Sequence, residues 1–174
     1  MSAMGASPAK PLNPLRWLGI PTLYCVLGSL LLAIPLRLFG LHLPNPVFAF
    51  VPAFAWAVIR PSILPPFVLL LLGLFLDIFW DGPKGLWPLC LLISYAAVLT
   101  ARRLIMGQDL LIVWAWYAAL TALSFLVGYS VISADGGAAP NLLSVIWQYL
   151  VTAALYPFAH RLIARYEDAD VRFR

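Results

Sequence analysis

The residues best suited to chemistry lie between Gly73 and Gly85, where two acids and a lysine are set among large apolar side chains. Asp77 lies inside an apolar run, and Asp81 and Lys84 lie in the Asp-Gly-Pro-Lys-Gly turn that follows it. A charged group in hydrocarbon costs at least ~2.5 kcal/mol on insertion scales, so such a residue usually pairs, faces a bundle interior or marks a pathway. Asp77 is therefore the first candidate for a functional acid.

The histidines offer little support for catalysis. Nucleophilic catalysis needs a Ser or Cys within reach of a base that an acid orients. Only His42, on a short proline-flanked turn, is predicted on the outer side, where Asp81 or Asp135 could join it as an acid-base site. His160 lies beside Arg161 at the predicted inner boundary, which favours an interfacial or cap-like position. We expect no enzymatic activity.

Cysteine usage and motif spacing indicate neither a metal site nor a cofactor. Cys25 and Cys90 lie in apolar segments predicted at different depths, so we expect packing residues and not a disulfide. No His-Glu-x-x-His or paired Cys-x-x-Cys spacing occurs, and no glycine-rich loop ends in Gly-Lys-Ser/Thr.

The composition of the chain indicates whether these residues lie in water or in a membrane. The chain is 63% hydrophobic and 10% charged, whereas soluble domains are about half apolar and a quarter charged. The pattern predicts an all-α, polytopic integral membrane protein. Its net charge is +4, but the basic residues are spread through short loops and the tail and form no stripe, which argues against nucleic-acid binding.

Six apolar segments are predicted to cross the membrane, within a transmembrane domain of residues 16–164 between cytoplasmic tails 1–15 and 165–174. The second segment is short, reaching about 21 Å at ~1.5 Å per residue against a hydrocarbon core of ~30 Å. Whether it spans fully is left open. The predicted spans are 17–41, 46–59, 64–80, 86–100, 110–132 and 141–163.

Basic residues favour six spans over five, because lysine and arginine collect on the cytoplasmic side. Six spans place nine basic residues on one face and two on the other, so both termini are expected in the cytoplasm. The nine are Lys10, Arg16, Arg60, Arg102, Arg103, Arg161, Arg165, Arg172 and Arg174, and the two are Arg37 and Lys84.

The predicted depths suggest a partner for Asp77. Arg37 and Asp77 each lie about one helical turn before the outer end of a span, so we expect them to pair or to share a polar network. The alternatives are that Arg37 reaches the surface and that Asp77 does the same or caps the turn through backbone amides, with a transported proton or ion less favoured. Gly73 permits a close helix approach, and Pro157 predicts a kink in the last segment.

The order of these motifs resembles the rod shape-determining protein MreD family. The run Gly73-Leu-Phe-Leu-Asp77-Ile-Phe is followed by Gly85-Leu, by Ser94-Tyr95 and by the basic pair Arg102-Arg103. Further similar features are Ala33-Ile-Pro35-Leu, the Leu43-Pro-Asn45-Pro turn and Leu155-Tyr-Pro157 before a basic terminus. The family pattern has Arg-Pro-Asp or Arg-Pro-Asn where this chain has Leu43-Pro44-Asn45, so the role of that basic residue does not carry over.

The resemblance implies a non-enzymatic scaffold in the bacterial inner membrane that serves rod shape maintenance and peptidoglycan synthesis. Its implied partners are MreC and, directly or indirectly, the actin-like MreB, RodA and an elongation transpeptidase. The residues expected to have structural or partner-binding roles are Arg37, Gly73, Asp77, Asp81, Gly85, Tyr95 and Pro157.

The family's fold is thought similar to the S-component, the substrate-binding subunit of energy-coupling-factor transporters, with six helices around an outward-facing cavity. This implies an alternative function as a small-molecule-binding membrane subunit of a vitamin-type transporter. The polar side chains available to such a cavity are Arg37, Asp77, and Gln148 or Tyr149. A pocket with so few polar side chains suits a lipid or a partner's helix better than a polar vitamin.

Overall fold

The computed structural model of this chain describes residues 15–33, 45–59, 61–134 and 141–171, and all the regular elements in these ranges are helical. A π-helical turn, Leu15–Gly19, leads into the first α-helix. The helices are α1 (Ile20–Ala33), α2 (Phe50–Ile59), α3 (Leu64–Phe79), α4 (Leu86–Ile105), α5 (Leu110–Ala134), α6 (Leu142–Ala153) and α7 (Tyr156–Val171).

The predicted all-helical architecture is confirmed for these ranges, and three helical segments are long and apolar enough to cross a membrane: Leu86–Ile105, Leu110–Ala134 and Leu142–Ala164. Shorter apolar helices cover Trp17–Leu31, Phe50–Ile59 and Leu64–Phe79. Large apolar side chains also lie on the outer surface, such as Ile78, which is 83% exposed, and Leu111, which is 73% exposed. Such a surface suits a lipid environment.

The helices and the predicted spans differ at two places. The fourth span was predicted to end at residue 100, and helix α4 continues beyond it to Ile105, with Arg102 and Arg103 in its last turn. The sixth segment, expected to be one kinked helix over 141–163, consists of α6 and α7 joined by a turn at residues 154–155. The outer part of the predicted first span lies outside the described residues.

Helix α2 forms the centre of the bundle. All of its side chains from Phe50 to Ala57 are buried, and α3, α4 and α7 pack around it. A helix that is apolar on every face is buried either in a protein core or in a membrane, and here other helices surround it. Phe54 meets Tyr117 of α5 edge to face, with ring centroids 5.3 Å apart. With ten residues, α2 extends about 15 Å, half of a ~30 Å hydrocarbon core.

The end of α2 is fixed by a basic side chain from α4. Nε of Arg102 donates to the carbonyl of Val58 at 2.9 Å, and its Nη2 donates to the carbonyl of Ile59 at 3.5 Å. Carbonyls in the last turn of a helix have no intrahelical partner and attract cations. The end of α2 therefore lies level with the end of α4.

The segment that precedes α2 is not helical, although Val47 is completely buried. The N–H of Val47 donates to Oγ1 of Thr152 in α6 at 3.1 Å, and Nε2 of Gln148 donates to the carbonyl of Asn45 at 3.1 Å. The Sγ of Cys25 in α1 donates to the carbonyl of Phe48 at 3.4 Å. Irregular backbone at membrane depth is tolerated only where protein groups satisfy it in this way.

The break between α6 and α7 follows from Pro157. Proline has no N–H, so the carbonyl four residues earlier, that of Ala153, has no helical partner. The indole Nε1 of Trp114 in α5 donates to this carbonyl at 3.3 Å, and the hydroxyl of Tyr117 donates to the neighbouring carbonyl of Thr152 at 3.1 Å. Side chains of α5 thus stabilise the break.

Candidate functional site

Asp77 caps the beginning of α4. Its side chain is 4% exposed; Oδ2 accepts a hydrogen bond from the N–H of Gly85 at 2.5 Å and Oδ1 accepts one from the N–H of Trp87 at 3.0 Å. The first N–H groups of a helix lack intrahelical acceptors and carry partial positive charge. Both carboxylate oxygens therefore stabilise the end of a helix that follows Asp77 in the chain.

The turn between α3 and α4 adopts left-handed backbone at two positions. Gly85 has φ 91°, which glycine adopts without strain, and Asp81 has φ 49°, which aspartate tolerates better than most residues. The N–H of Gly82 donates to the backbone carbonyl of Asp77 at 3.2 Å. The side chains of Asp81 and Lys84 are exposed, so Asp81 contributes through its backbone conformation.

Gly73 lies one helical turn before Asp77 and touches the backbone of α4. A Cβ atom at Gly73 would lie 2.5 Å from Cα and 2.9 Å from Cδ of Pro88. Those distances are shorter than real Cβ contacts, so only glycine permits this approach. The glycine and the cap together fix the α3–α4 hairpin.

The predicted site residues fall into separate places. Gly73, Asp77, Asp81 and Gly85 share the hairpin. The buried Tyr95 lies further along α4 and donates its hydroxyl to the carbonyl of Ser62 at 3.4 Å, between α2 and α3. Pro157 lies at the α6–α7 break.

The predicted pair of Asp77 with Arg37 is untested, because Arg37 lies outside the described residues. The described residues show one of the alternatives, in which Asp77 caps the turn through backbone amides. His42 and Asp135 also lie outside these ranges, whereas His160 is exposed with its ring centroid 6.2 Å from that of Tyr156. Within the described ranges, no three His, Cys, Asp or Glu side chains are close enough to hold a metal ion.

A cavity of about 130 Å³ lies between α4, α5 and α6. Phe50, the first residue of α2, forms part of its wall. Gln148 was an expected cavity residue and does line it. The lining is otherwise mainly apolar and aromatic: Phe50, Leu86, Trp87, Cys90, Phe125, Gly128, Tyr129, Ile132 and Val145.

The Asp77 cap and the cavity meet at Trp87. Its backbone N–H is held by Asp77, and its indole lines the cavity, so the cap also fixes one cavity wall. Sequence reasoning did not identify Phe50, Trp87 or Phe125 as site residues, since aromatic residues in apolar helices are usually packing residues. The signal that pointed to this region was Gln148, a polar residue in an apolar helix.

No protein-family model, curated protein or solved structure matches this chain. Its chemistry must be inferred from the residues themselves. Asp77 is arranged to hold a helix end, because each of its oxygens already accepts a backbone N–H. The cavity offers apolar and aromatic surface with one amide side chain, which suits binding of an apolar group.

Proposed function

We propose that this chain is a non-enzymatic scaffold of the bacterial cell-elongation machinery, which supports rod shape and peptidoglycan synthesis by binding MreC and associated proteins. The observation that carries the proposal is the order of the motifs from Gly73 to Arg103, which resembles that of the MreD family. In the proposal the chain crosses the inner membrane six times, with both termini in the cytoplasm.

The hairpin geometry supports a structural role for the most conspicuous acid. Both carboxylate oxygens of Asp77 accept backbone N–H groups, those of Gly85 and Trp87, so the side chain holds the beginning of α4. Gly73 adds a backbone contact with Pro88 that a side chain would prevent. A scaffold benefits from such rigidity, because a surface held in one conformation loses less entropy when a partner binds.

The contacts of α2 support the proposed orientation. Arg102 holds the carboxyl end of α2, so Arg102, Arg103 and that end of α2 lie at one end of the bundle. Lys84 lies in the hairpin turn at the opposite end of α4. This is the distribution that the positive-inside tendency favours when the hairpin turn faces outward.

Affinity capture tests the partner. The full chain, tagged and expressed in a rod-shaped bacterium, is solubilised from the inner membrane and its bound proteins are identified. We expect MreC to be retained by the wild-type chain and by Gly82→Ala, since a Cβ at Gly82 meets nothing within 4 Å. We expect Gly73→Val to retain less. Absence of MreC from the wild-type capture would reject the proposal.

The second candidate function is the small-molecule-binding subunit of a vitamin-type transporter, and the cavity is the observation that favours it. Its volume of about 130 Å³ is below the ~300 to 1,000 Å³ of ordinary ligand pockets. One amide side chain among the lining residues also gives a polar vitamin few partners. Capture of an ATPase-linked module, together with a stoichiometric small molecule, would favour this candidate over the scaffold.

A further inference from the structure

Helix α3 presents a continuous apolar stripe to the outside of the bundle. The exposed side chains of this α3 stripe recur every three or four residues, and none of them is charged: Leu64, Phe67, Leu70, Leu71, Leu74 and Ile78. Leu64 and Ile78 are 14 positions apart in the chain, which corresponds to ~21 Å along a helix at ~1.5 Å per residue. The α3 stripe is therefore shorter than a hydrocarbon core of ~30 Å.

Polar groups follow the α3 stripe at both ends. At the hairpin end, Asp81 and Lys84 are exposed, and the Asp77 cap holds the turn close to the end of α3. At the other end, Ile63 adds one apolar position before Ser62, whose carbonyl accepts a hydrogen bond from Tyr95. Neither end adds more than a few ångströms of apolar length.

Helix α5 gives another side of the bundle a longer apolar surface. None of its 25 residues is charged, and its large exposed side chains extend from Leu110 to Val131. Leu111 and Val131 are 20 positions apart in the chain, or ~30 Å along the helix, which matches an ordinary hydrocarbon core. Helix α4 packs against both α3 and α5, so the short and the long apolar surfaces lie on different sides of the molecule.

We propose that the bilayer is thinner beside α3 than beside α5, so that the α3 stripe selects lipids with short acyl chains. A short apolar stretch is accommodated by thinning of the bilayer, by flanking side chains that reach the interface, or by oligomerisation. Tilt of α3 would only reduce its apolar height. The inference rests on the membrane crossing in the proposed function, but it is independent of MreC binding.

The side chains of the α3 stripe favour lipid over a second protein helix as the occupant. Helices in membranes associate through small residues that let their backbones approach closely. The α3 stripe contains only leucine, isoleucine and phenylalanine. The small residue of this helix, Gly73, faces the backbone of Pro88 in α4 and is not available to a partner.

Depth measurements on both helices test the thickness directly. The two native cysteines are replaced by Cys25→Ser and Cys90→Ala, and single cysteines are introduced at exposed positions of the full-length chain. Each is spin-labelled in dioleoyl phosphatidylcholine vesicles, and power saturation with oxygen and with a water-soluble nickel complex gives its depth. We expect equal, shallow depths for labels at Leu64, Ile78, Leu111 and Val131, although the two pairs are ~21 and ~30 Å apart along their helices.

A second measurement identifies the lipid. A bimane label at Leu71, in the middle of the α3 stripe, is compared with one at Leu123 in α5, where the side chain is also exposed. The vesicles contain brominated dimyristoleoyl and unbrominated dierucoyl phosphatidylcholine, and quenching is normalised to that in the brominated lipid alone. We expect the ratio of short-chain to long-chain lipid to be about twice as high at Leu71 as at Leu123. Equal ratios would overturn the selection of short chains.

Three outcomes of the depth measurement would also overturn the proposal. Labels at Leu64 and Ile78 that lie deeper than those at Leu111 and Val131 would show a bilayer of uniform thickness. A label at Leu71 that oxygen cannot reach would show that protein covers the α3 stripe. Labels in α3 that the nickel complex reaches at every position would place this helix outside the hydrocarbon, and only this outcome would reject the proposed membrane crossing as well.

Discussion

The α3–α4 hairpin and the α2–α6 region both place polar groups inside apolar surroundings, but they satisfy them over different distances in the chain. In the hairpin, Asp77 bonds to amides eight and ten residues later. Between α2 and α6, Val47 and Asn45 bond to side chains 105 and 103 residues away. The hairpin can therefore form from local contacts, whereas the break before α2 is stable only once α6 is in place.

The hairpin and the α2–α6 region also differ in how closely they pack. The hairpin has backbone-to-backbone contact at Gly73 and Pro88. Within α6, only Thr152 and Ala153 are buried, and the helix borders the cavity. Hydrogen bonds that Gln148 and Tyr149 donate, and one that Thr152 accepts from Val47, hold α6 where apolar packing is sparse. The hairpin is therefore held by close backbone packing, whereas α6 is held mainly by hydrogen bonds.

The largest effect is expected at the tightest contact. Gly73→Val forces side-chain atoms against the backbone of Pro88, and we expect the free energy of unfolding to fall by about 3 kcal/mol. Unfolding of the purified protein by SDS in mixed micelles measures this change. Gly82→Ala is the matched control and should have little effect, because nothing lies within 4 Å of its added Cβ. Equal losses in both variants would argue against a tight hairpin.

The next effect concerns the cap. Asp77→Ala leaves the N–H groups of Gly85 and Trp87 without acceptors, and we expect a loss of about 2 kcal/mol in the same unfolding assay. Asp81→Asn removes the same charge from an exposed position that has φ 49°. It should change stability by no more than about 0.5 kcal/mol. The cap would be rejected as the source of stability by a larger loss in Asp81→Asn.

A smaller effect on the free energy of unfolding is expected in the α2–α6 region. Thr152→Val removes the acceptor of the Val47 N–H and should cost about 1 kcal/mol, since hydrogen bonds within membrane proteins average ~0.6 and reach ~1.7 kcal/mol. Thr152→Ser retains the hydroxyl and should recover most of this loss. If Thr152→Val is as stable as the wild type and Thr152→Ser is destabilised, the methyl group of Thr152 and not its hydrogen bond stabilises the segment.

The smallest effect is a coupling between α5 and the α6–α7 break. Trp114→Phe removes the donor to the carbonyl of Ala153 and should cost about 0.6 kcal/mol. In a Pro157→Ala background, a new N–H can reach that carbonyl, so the same change should cost close to nothing. A double-mutant cycle of unfolding free energies measures the difference, with Trp147→Phe, at an exposed position of α6, as the control. Additive losses would mean that the indole does not serve the freed carbonyl.

Local sequence patterns predicted the hairpin well. An acid in an apolar run, followed by Asp-Gly-Pro-Lys-Gly, indicated a turn, and Gly73 one turn earlier indicated a close approach. Pro157 likewise predicted an irregularity in the last segment. These features depend on neighbours within about ten residues, so composition and spacing carry the information.

The α2–α6 region could not be predicted from local sequence patterns. Residues 45–49 are apolar apart from Asn45, and nothing in that pattern shows that the backbone there is unwound and bonded to α6. Thr152 resembles any small polar residue of an apolar helix until its partner, Val47, is known. The cavity depends on where α2 begins relative to α4 and α5, which is a property of the assembled bundle.

The central claim, that Asp77 works as a helix cap, is tested most directly by amide hydrogen exchange. Exchange at Gly85 and Trp87 is measured by NMR in wild-type protein, Asp77→Ala and Asp81→Asn. We predict slow exchange at both amides in the wild type and in Asp81→Asn, and fast exchange at both in Asp77→Ala while amides in the middle of α4 remain protected. Unchanged exchange at Gly85 and Trp87 in Asp77→Ala would contradict the capping role.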